Sequence, residues 1–353
     1  MIPPDTTTVG RLVVRAPNWL GDAVLALPAI AALRRHFADA HLTIAAPAGV
    51  APMFAMARDA APADVLVLSG GSRGHVRQLR AGRFELSVLF PNSFRAAWDV
   101  RRAGIPQRWG YPTSQRGWLL TKRAERAAVP RGAKQHHVDY YRALVRGLGI
   151  PVSDDAPALT VSGETQAAAR ARVAGDGRTA ERLILCAPGA AYGQAKQWPP
   201  LRVAELIARL TRDRDVEVVL VGAAHDREAG VTIERWLTTH APEARRRVAN
   251  LIGHTDLPML TALASISRVC VTNDSGAMHI AAATGRPVVA LFGPTDERVT
   301  RPVGRGDVLK ADVFCRPCHL RDCPIDHRCM KRITVDMVAA AVSRHLAFSG
   351  ARP

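Results

Sequence analysis

Thr272-Asn273-Asp274-Ser275-Gly276-Ala277-Met278-His279 joins the apolar run Arg268–Thr272 to the helical pattern of Ala277–Thr284. A short apolar run, a polar glycine-bearing turn and a 3.6-period segment read as strand, loop and helix. Outward from it the same triplet recurs. Val288–Phe292 is a strand ending in Gly293-Pro294. Upstream, Leu183–Ala187 is a strand followed by a helix at Pro200–Thr211, and Val216–Val221 is a strand followed by a helix at Glu228–Thr239. The last helix covers Val335–Leu346. Nearer the start, Arg11–Ala16, Leu42–Ala46, Val65–Leu68 and Leu86–Phe90 read as strands, with one helix spanning Gly21–Phe37. The polar stretch Ser153–Thr179 carries a helix near Gln166–Ala174 that leads out of the first half. Such alternation predicts crossover units and an α/β fold of two parallel, doubly wound halves. Ligands of such sheets sit outside the carboxyl ends of the strands, so a central cleft between the halves is expected.

With 353 residues the chain is long enough for two domains. Hydrophobic residues make up 48% and charged residues 22%, which excludes a disordered or fibrous chain. No apolar run reaches a membrane-spanning length, and Met1–Gly10 has no secretory pattern. Six cysteines in this length are not a disulfide framework. The expected location is therefore the cytoplasm. The net charge of +17 is unusual and points to an anionic partner. Residues 73–146 hold 16 Arg and Lys against 4 Asp and Glu, interleaved with Phe84, Phe90, Phe94, Trp98, Trp109, Tyr111 and Trp118. The first half is thus the part that meets the anion.

Three strand-to-helix junctions carry chemistry. In Pro17-Asn18-Trp19-Leu20-Gly21-Asp22, Gly21 offers unusual backbone freedom. Asp22 reads either as a helix cap or as a general base. In Pro188–Pro199, Gly189 and Lys196 lie in a loop that can cradle phosphate, without Walker or Gly-x-Gly-x-x-Gly spacing. In the opening stretch, Ser275 and Gly276 present free N–H groups at a helix start, with His279 one turn on, either packed in the core or facing the ligand.

As a set these pieces resemble glycosyltransferase family nine, the ADP-heptose:lipopolysaccharide heptosyltransferases. The similar segments are Gly21–Pro28, Pro188–Pro199, Val219–Glu228, Asn250–Leu257, Thr272–His279 and Arg286–Thr295. The likeness runs from residue 11 to about residue 340 and is strongest to the heptosyltransferase II branch. It implies the GT-B fold, with an acceptor-binding Rossmann-like domain at residues 1–165. A nucleotide-sugar domain would follow at 180–334, then a C-terminal helix and tail at 335–353. It implies inverting transfer of heptose from ADP-L-glycero-β-D-manno-heptose to heptosyl-Kdo-lipid A in the lipopolysaccharide core region, with no cofactor and no catalytic metal. Asp22 becomes the base, with Gly21, Arg101 and Arg102 on the acceptor side. Lys196, catalytic as well as donor-binding, serves the diphosphate or heptose. Asp274 serves the donor sugar, while Gly189, Ser275, Gly276 and His279 surround the donor. The segment containing Gly253 lines the adenine, and Asp226 or Glu228 reaches the ribose. Ala190-Ala191-Tyr192 departs from the family, which often has Thr there. The acceptor lies on the anionic inner leaflet, so peripheral association with the membrane is expected, and no nucleic acid partner.

Cys315, Cys318, Cys323 and Cys329 lie within fifteen residues, beside His319 and His327. Their spacing permits a small structural Zn²⁺ site, and reduced structural thiols are the other reading. Cys186 and Cys270 read as core. Three other functions fit parts of the sequence: a basic RNA- or anionic-lipid-binding module without catalysis, a family-nine transferase using another nucleotide sugar, and a nicotinamide oxidoreductase. The first leaves three phosphate-type junctions without purpose; the last lacks its glycine fingerprint.

Overall fold

Leu183–Ala187 and Val288–Phe292 are buried at every residue, as strands covered by helices on both faces must be. The structure is a computed structural model that describes residues 9–126, 130, 132–174 and 179–348. Most of the N-terminal stretch read above, Arg131 of the basic segment and the tail from 349 onward lie outside the described residues.

The chain divides into two units, the first ending at Ala158 and the second starting at Leu159. The first carries β1 Arg11–Arg15, β2 His41–Pro47, β3 Asp64–Leu68, β4 Leu86–Leu89, β5 Gln107–Gly110 and β6 Lys122–Arg123. Its helices are α1 Leu20–Leu25, α2 Leu27–His36, α3 Gly71–Ala81, α4 Phe94–Arg102 and α5 His137–Arg146. The second carries β7 Leu183–Ala187, β8 Glu217–Leu220, β9 Val248–Asn250, β10 Val269–Asn273, β11 Val288–Phe292 and β12 Gly306–Lys310. Its helices are α6 Gly163–Ala174, α7 Pro200–Asp213, α8 Arg227–His240, α9 Pro242–Arg246, α10 Leu257–Ile266, α11 Gly276–Ala283, α12 Glu297–Thr300, α13 Arg328–Lys331 and α14 Val335–Phe348.

Both sheets are parallel, in the orders β3-β2-β1-β4-β5-β6 and β12-β11-β10-β7-β8-β9. Counted from its own first strand, each follows the Rossmann order. The strand order reverses between β1 and β4 in one unit and between β7 and β10 in the other. These are the switch points where parallel sheets bind ligands. The two-unit α/β fold expected from the alternation is what the chain adopts.

Four expectations change. The helix anticipated over Gly21–Phe37 is two helices, α1 and α2. Pro28 has no N–H to continue the first and opens the second instead. The helix near Gln166–Ala174 does not close the first half. Its Ala169 and Val173 are fully buried and it packs on α10 of the second unit, so the boundary falls at 158 rather than 165. The helix of the segment set apart as C-terminal helix and tail at 335–353 belongs to the second unit: in α14, Val338, Ala341 and Val342 are fully buried in that unit's core. Finally, β5 and β6 have no counterpart in the sequence reading, because Gln107-Arg108-Trp109-Gly110 and Lys122-Arg123 carry little apolar signal. Among the described residues no helix is long and apolar enough to cross a membrane.

Arg116 ties together the loops that follow β4 and β5. It is fully buried, and its guanidinium donates to Tyr111 O at 2.9 Å, to Ser93 O at 3.2 Å and to Pro91 O. Burial pulls its pKa down to about 10, so it remains charged at neutral pH. Arg116→Leu leaves these carbonyls unpaired and should cost about 2–4 kcal/mol in urea unfolding.

Candidate functional site

In the second unit β10 ends at a carboxylate, and the loops after the two strands that flank it, β7 and β11, each deliver one side chain to that group. Asp274 follows β10 and is 5% exposed. Lys196, in the loop after β7, places Nζ 2.6 Å from Asp274 Oδ2. Thr295, after β11, donates its hydroxyl to the same oxygen at 2.6 Å. A buried carboxylate needs such partners, because its desolvation is otherwise unfavourable by several kcal/mol. The ammonium also lies 4.7 Å from the centre of the Tyr192 ring. It has three N–H donors and Asp274 takes one, so others can serve a ligand.

Asn273 stitches the same loops together. Its Nδ2 donates to Pro188 O at 2.6 Å, and its Oδ1 accepts from Trp198 N at 3.1 Å. Ser275 is the N-cap residue of α11, yet its side chain caps nothing. Its hydroxyl is buried without a partner among the described residues. The first N–H groups of α11, beginning with Gly276, have no partner within the helix and favour an anion. His279 is buried one turn on, at 5% exposure.

The other residues of the second unit singled out in the sequence are placed as follows. Gly189 is required by close approach, since a Cβ there would lie 2.2 Å from the Asp226 carboxylate. Asp226 is itself buried, and its Oδ2 accepts from Ala223 N at 3.0 Å. Its visible work is therefore to hold the turn after β8 against the Gly189 loop. Glu228 is exposed at the start of α8. Gly253 adopts φ +76°, and its carbonyl accepts from Arg227 at 3.1 Å.

In the first unit, Asp22 lies in the first turn of α1, where the helix dipole favours a negative charge. The N-cap position is Trp19, which makes no side-chain cap bond. Asp22 is instead engaged by His137, at the start of α5, whose Nδ1 lies 2.8 Å from Asp22 Oδ1. A carboxylate only accepts, so the ring nitrogen carries the proton. Tyr141 packs nearby; burial first, and then the Asp22 carboxylate, push its hydroxyl well above the ordinary tyrosine range. Gly21 lies within the regular helix and is not among the residues with positive φ, so the backbone freedom expected of it is not used. Arg101 and Arg102 are exposed on the last turn of α4.

Of the two readings of Cys315, Cys318, Cys323 and Cys329, the structural Zn²⁺ site has no support in the side-chain arrangement. Among the described residues no group of three or more His, Cys, Asp or Glu side chains is arranged to hold a metal. Cys318 and Cys323 are exposed, whereas Cys329 is buried in α13. Burial, and more weakly the thiols of Cys315, Cys323 and Cys318, raise the Cys329 pKa above the ordinary thiol value. The segment does other work: it cradles the lysine loop. Arg321 O accepts from Ala195 N at 2.9 Å, His319 O accepts from the Tyr192 hydroxyl at 2.9 Å, and His327 Nε2 donates to Ala195 O at 2.7 Å. A Cβ on Gly193 would fall 2.4 Å from Arg321 O.

The sequence reading missed His137 and gave Thr295 no role, although Thr295 closes one of the quoted motifs. Residues 115 apart leave no periodic trace of their pairing. His136-His137, ahead of an amphipathic helix, was the only local hint.

The scan against family models matches residues 72–328 to glycosyltransferase family 9 (heptosyltransferase). The chain belongs to glycosyltransferase family 9. Lipopolysaccharide heptosyltransferase 2 of Escherichia coli K12 is 32% identical over 306 residues, 83% of this chain and 85% of that protein. The solved structure of E. coli ADP-heptose lps heptosyltransferase II superposes with a TM-score of 0.80 at 29% identity, covering 97% of this chain and all of that one. A family 9 glycosyl transferase from Veillonella parvula shares the fold at TM-score 0.81 and 20% identity, over 96% of this chain and 97% of that one. This family member is thus a glycosyl-transferring enzyme of the GT-B class.

Glu297, at the start of α12, steadies the Thr295 loop. It binds Lys310 at 2.5 Å and Arg316 at 2.6 Å, and Arg316 donates to Gly293 O and Thr295 O. Burial alone would raise the Glu297 pKa, but the hydrogen bonds from Lys310 and Arg316 outweigh it and hold the pKa at about 2. The folded-state value is depressed, so the stabilisation is present above the ordinary 4.5 and is lost as pH falls towards about 2. Melting temperature should drop across that window, and Glu297→Gln should flatten the drop.

Proposed function

We propose that this chain is an inverting heptosyltransferase of the lipopolysaccharide inner core. In this reading it moves L-glycero-D-manno-heptose from ADP-L-glycero-β-D-manno-heptose to heptosyl-Kdo-lipid A, at the cytoplasmic face of the inner membrane. The observation that carries the reading is the Lys196–Asp274–Thr295 array beside the uncapped start of α11. Support comes from the 32% identity to a lipopolysaccharide heptosyltransferase 2.

In an inverting transfer the acceptor oxygen attacks the anomeric carbon opposite the leaving ADP. The carbon–oxygen bond to the diphosphate breaks as the new glycosidic bond forms, and the acceptor hydroxyl loses its proton. Asp22 takes that proton. His137 occupies Oδ1 and so leaves Oδ2 for the transfer. Charge develops on the departing diphosphate, where the free N–H donors of Lys196, the Ser275 hydroxyl and the amides opening α11 receive it. Ala190 and Ala191 bring no hydroxyl, so backbone groups of that loop carry more of the phosphate binding. Asp274 orients Lys196 and accepts from the donor heptose. Gly189 and the Gly253 segment shape the nucleotide pocket, Asp226 supports it, and His279 is buried on α11, one turn after its start. Gly21, Arg101 and Arg102 serve the anionic acceptor. No cofactor or metal takes part in this scheme, and nucleic acid is not a partner.

Mass spectrometry of truncated lipopolysaccharide incubated with ADP-heptose and other nucleotide sugars tests the reading. Addition of heptose from ADP-heptose supports it. Transfer of another sugar would reassign the donor within the family. No transfer, together with no thermal shift by ADP, would favour a non-catalytic basic module.

Asp22→Asn keeps the side-chain shape and removes the proton acceptor. Turnover should fall by about 10²–10⁴. Melting temperature should hold, because the carboxylate caps nothing, and ADP affinity should be unchanged because the nucleotide residues lie in the second unit. His137→Ala should give a smaller loss in kcat than Asp22→Asn. Substantial turnover by Asp22→Asn would remove Asp22 from the chemistry.

A further inference from the structure

Three large aromatic side chains of the first unit are exposed together. Phe94 and Trp98, four residues apart on α4, lie on one face of the helix, and Trp118 reaches them from the short turn Gly117–Leu119. Their ring centres are 6.1–6.3 Å apart. They are 41%, 36% and 58% exposed. Exposed aromatics of this size are ordinary when scattered, but a contiguous patch of them marks a binding surface.

The charge around the patch defines the partner. Residues 94–126 hold eight Arg and Lys against two Asp and Glu, and one of the two acids, Asp99, is buried. Arg101 and Arg102 project from the same helix and make no ion pair among the described residues. A second copy of this chain would set these cations against one another. Single-stranded nucleic acid uses open ring faces for stacking. Here Phe94 and Trp98 stack on each other at 21°, and the Arg101 guanidinium lies 5.8 Å from the centre of the Trp118 ring. The rings are thus already engaged with one another and with a cation, and exposed aromatic rings beside exposed guanidinium groups are the amphipathic mixture that settles at the headgroup level of a bilayer.

We propose that Phe94, Trp98 and Trp118 form the membrane-inserting surface of this protein, on an anionic bilayer, with Arg101 and Arg102 on the lipid headgroups. The proposal rests on the peripheral membrane association put forward above and names the surface responsible. Each basic residue next to an anionic leaflet contributes roughly fivefold in partition, and the three rings add the apolar part that charge alone lacks.

Co-sedimentation with phosphatidylethanolamine/phosphatidylglycerol vesicles, against pure phosphatidylcholine vesicles, is the test. The native chain should bind the anionic vesicles at low salt. The triple variant Phe94→Ser, Trp98→Ser, Trp118→Ser should bind them about tenfold or more weakly, with melting temperature and ADP binding kept. A second pair of variants does not depend on that one folding. With brominated acyl chains in the vesicles, native tryptophan fluorescence should be quenched. Trp98→Phe with Trp118→Phe should bind equally well but lose most of the quenching, whereas Trp19→Phe should keep it. Undiminished vesicle binding by the triple variant, or undiminished quenching in the double variant, overturns the proposal while leaving membrane association intact. Failure of the native chain to bind any vesicle overturns both. RNA binding that the triple variant loses, with vesicles ignored, would assign the patch to nucleic acid instead.

Discussion

A carboxylate at 5% exposure organises the second unit. Asp274 is tolerable there only because an ammonium and a hydroxyl reach the same oxygen. The partners come from the ends of the two strands that flank its own, β7 and β11. Satisfying one buried charge therefore draws three loops together at the carboxyl edge of the sheet. Asn273 repeats the constraint one residue earlier, tying Pro188 and Trp198 to the same point. Apolar substitutes could fill the volume, but they would not give the loops a fixed polar focus. The uncapped start of α11 then opens beside that focus, already oriented for an anion.

Support for the focus comes from outside it. Glu297 holds Arg316, and Arg316 holds the carbonyls on either side of Pro294. The cysteine-bearing segment closes the other side: Arg321, His319 and His327 engage the loop that carries Lys196. Cysteine spacing permitted a metal there, yet no group of the described side chains is arranged to hold one; Cys329 is buried, and Cys318 and Cys323 are exposed. The backbone of the segment, more than its thiols, makes the contacts that matter.

The first unit follows the same architecture with a different chemistry. Its strand order reverses at β1 and β4, and the chain leaving β1 enters α1 with Asp22 in the first turn. Asp22 pairs through Oδ1 with His137, and among the described residues Oδ2 has no hydrogen-bond partner. Exposed arginines and aromatic rings mark the surface of α4 in this unit, whereas the second unit buries a lysine–aspartate pair in addition to its exposed ion pairs. One fold, used twice, thus carries two different arrangements of charge.

Sequence alone determined the strand–loop–helix rhythm, since an element buried on both faces must be written as an apolar run. Leu183–Ala187 and Val288–Phe292 were legible to the residue. Asp22, Lys196 and Asp274 were legible too, because each sits at a junction where a glycine-bearing turn follows such a run. The last two strands of the first sheet, Gln107–Gly110 and Lys122–Arg123, were not, being short and polar. Nor was the break at Pro28, the membership of Gly163–Ala174 in the second unit, or any partner of the site residues. His137 and Thr295 act over 115 and 21 residues of separation. Periodicity reports how a residue faces its own element; which distant side chain meets it depends on how strands are ordered in the sheet, and that order is decided only when the whole unit packs.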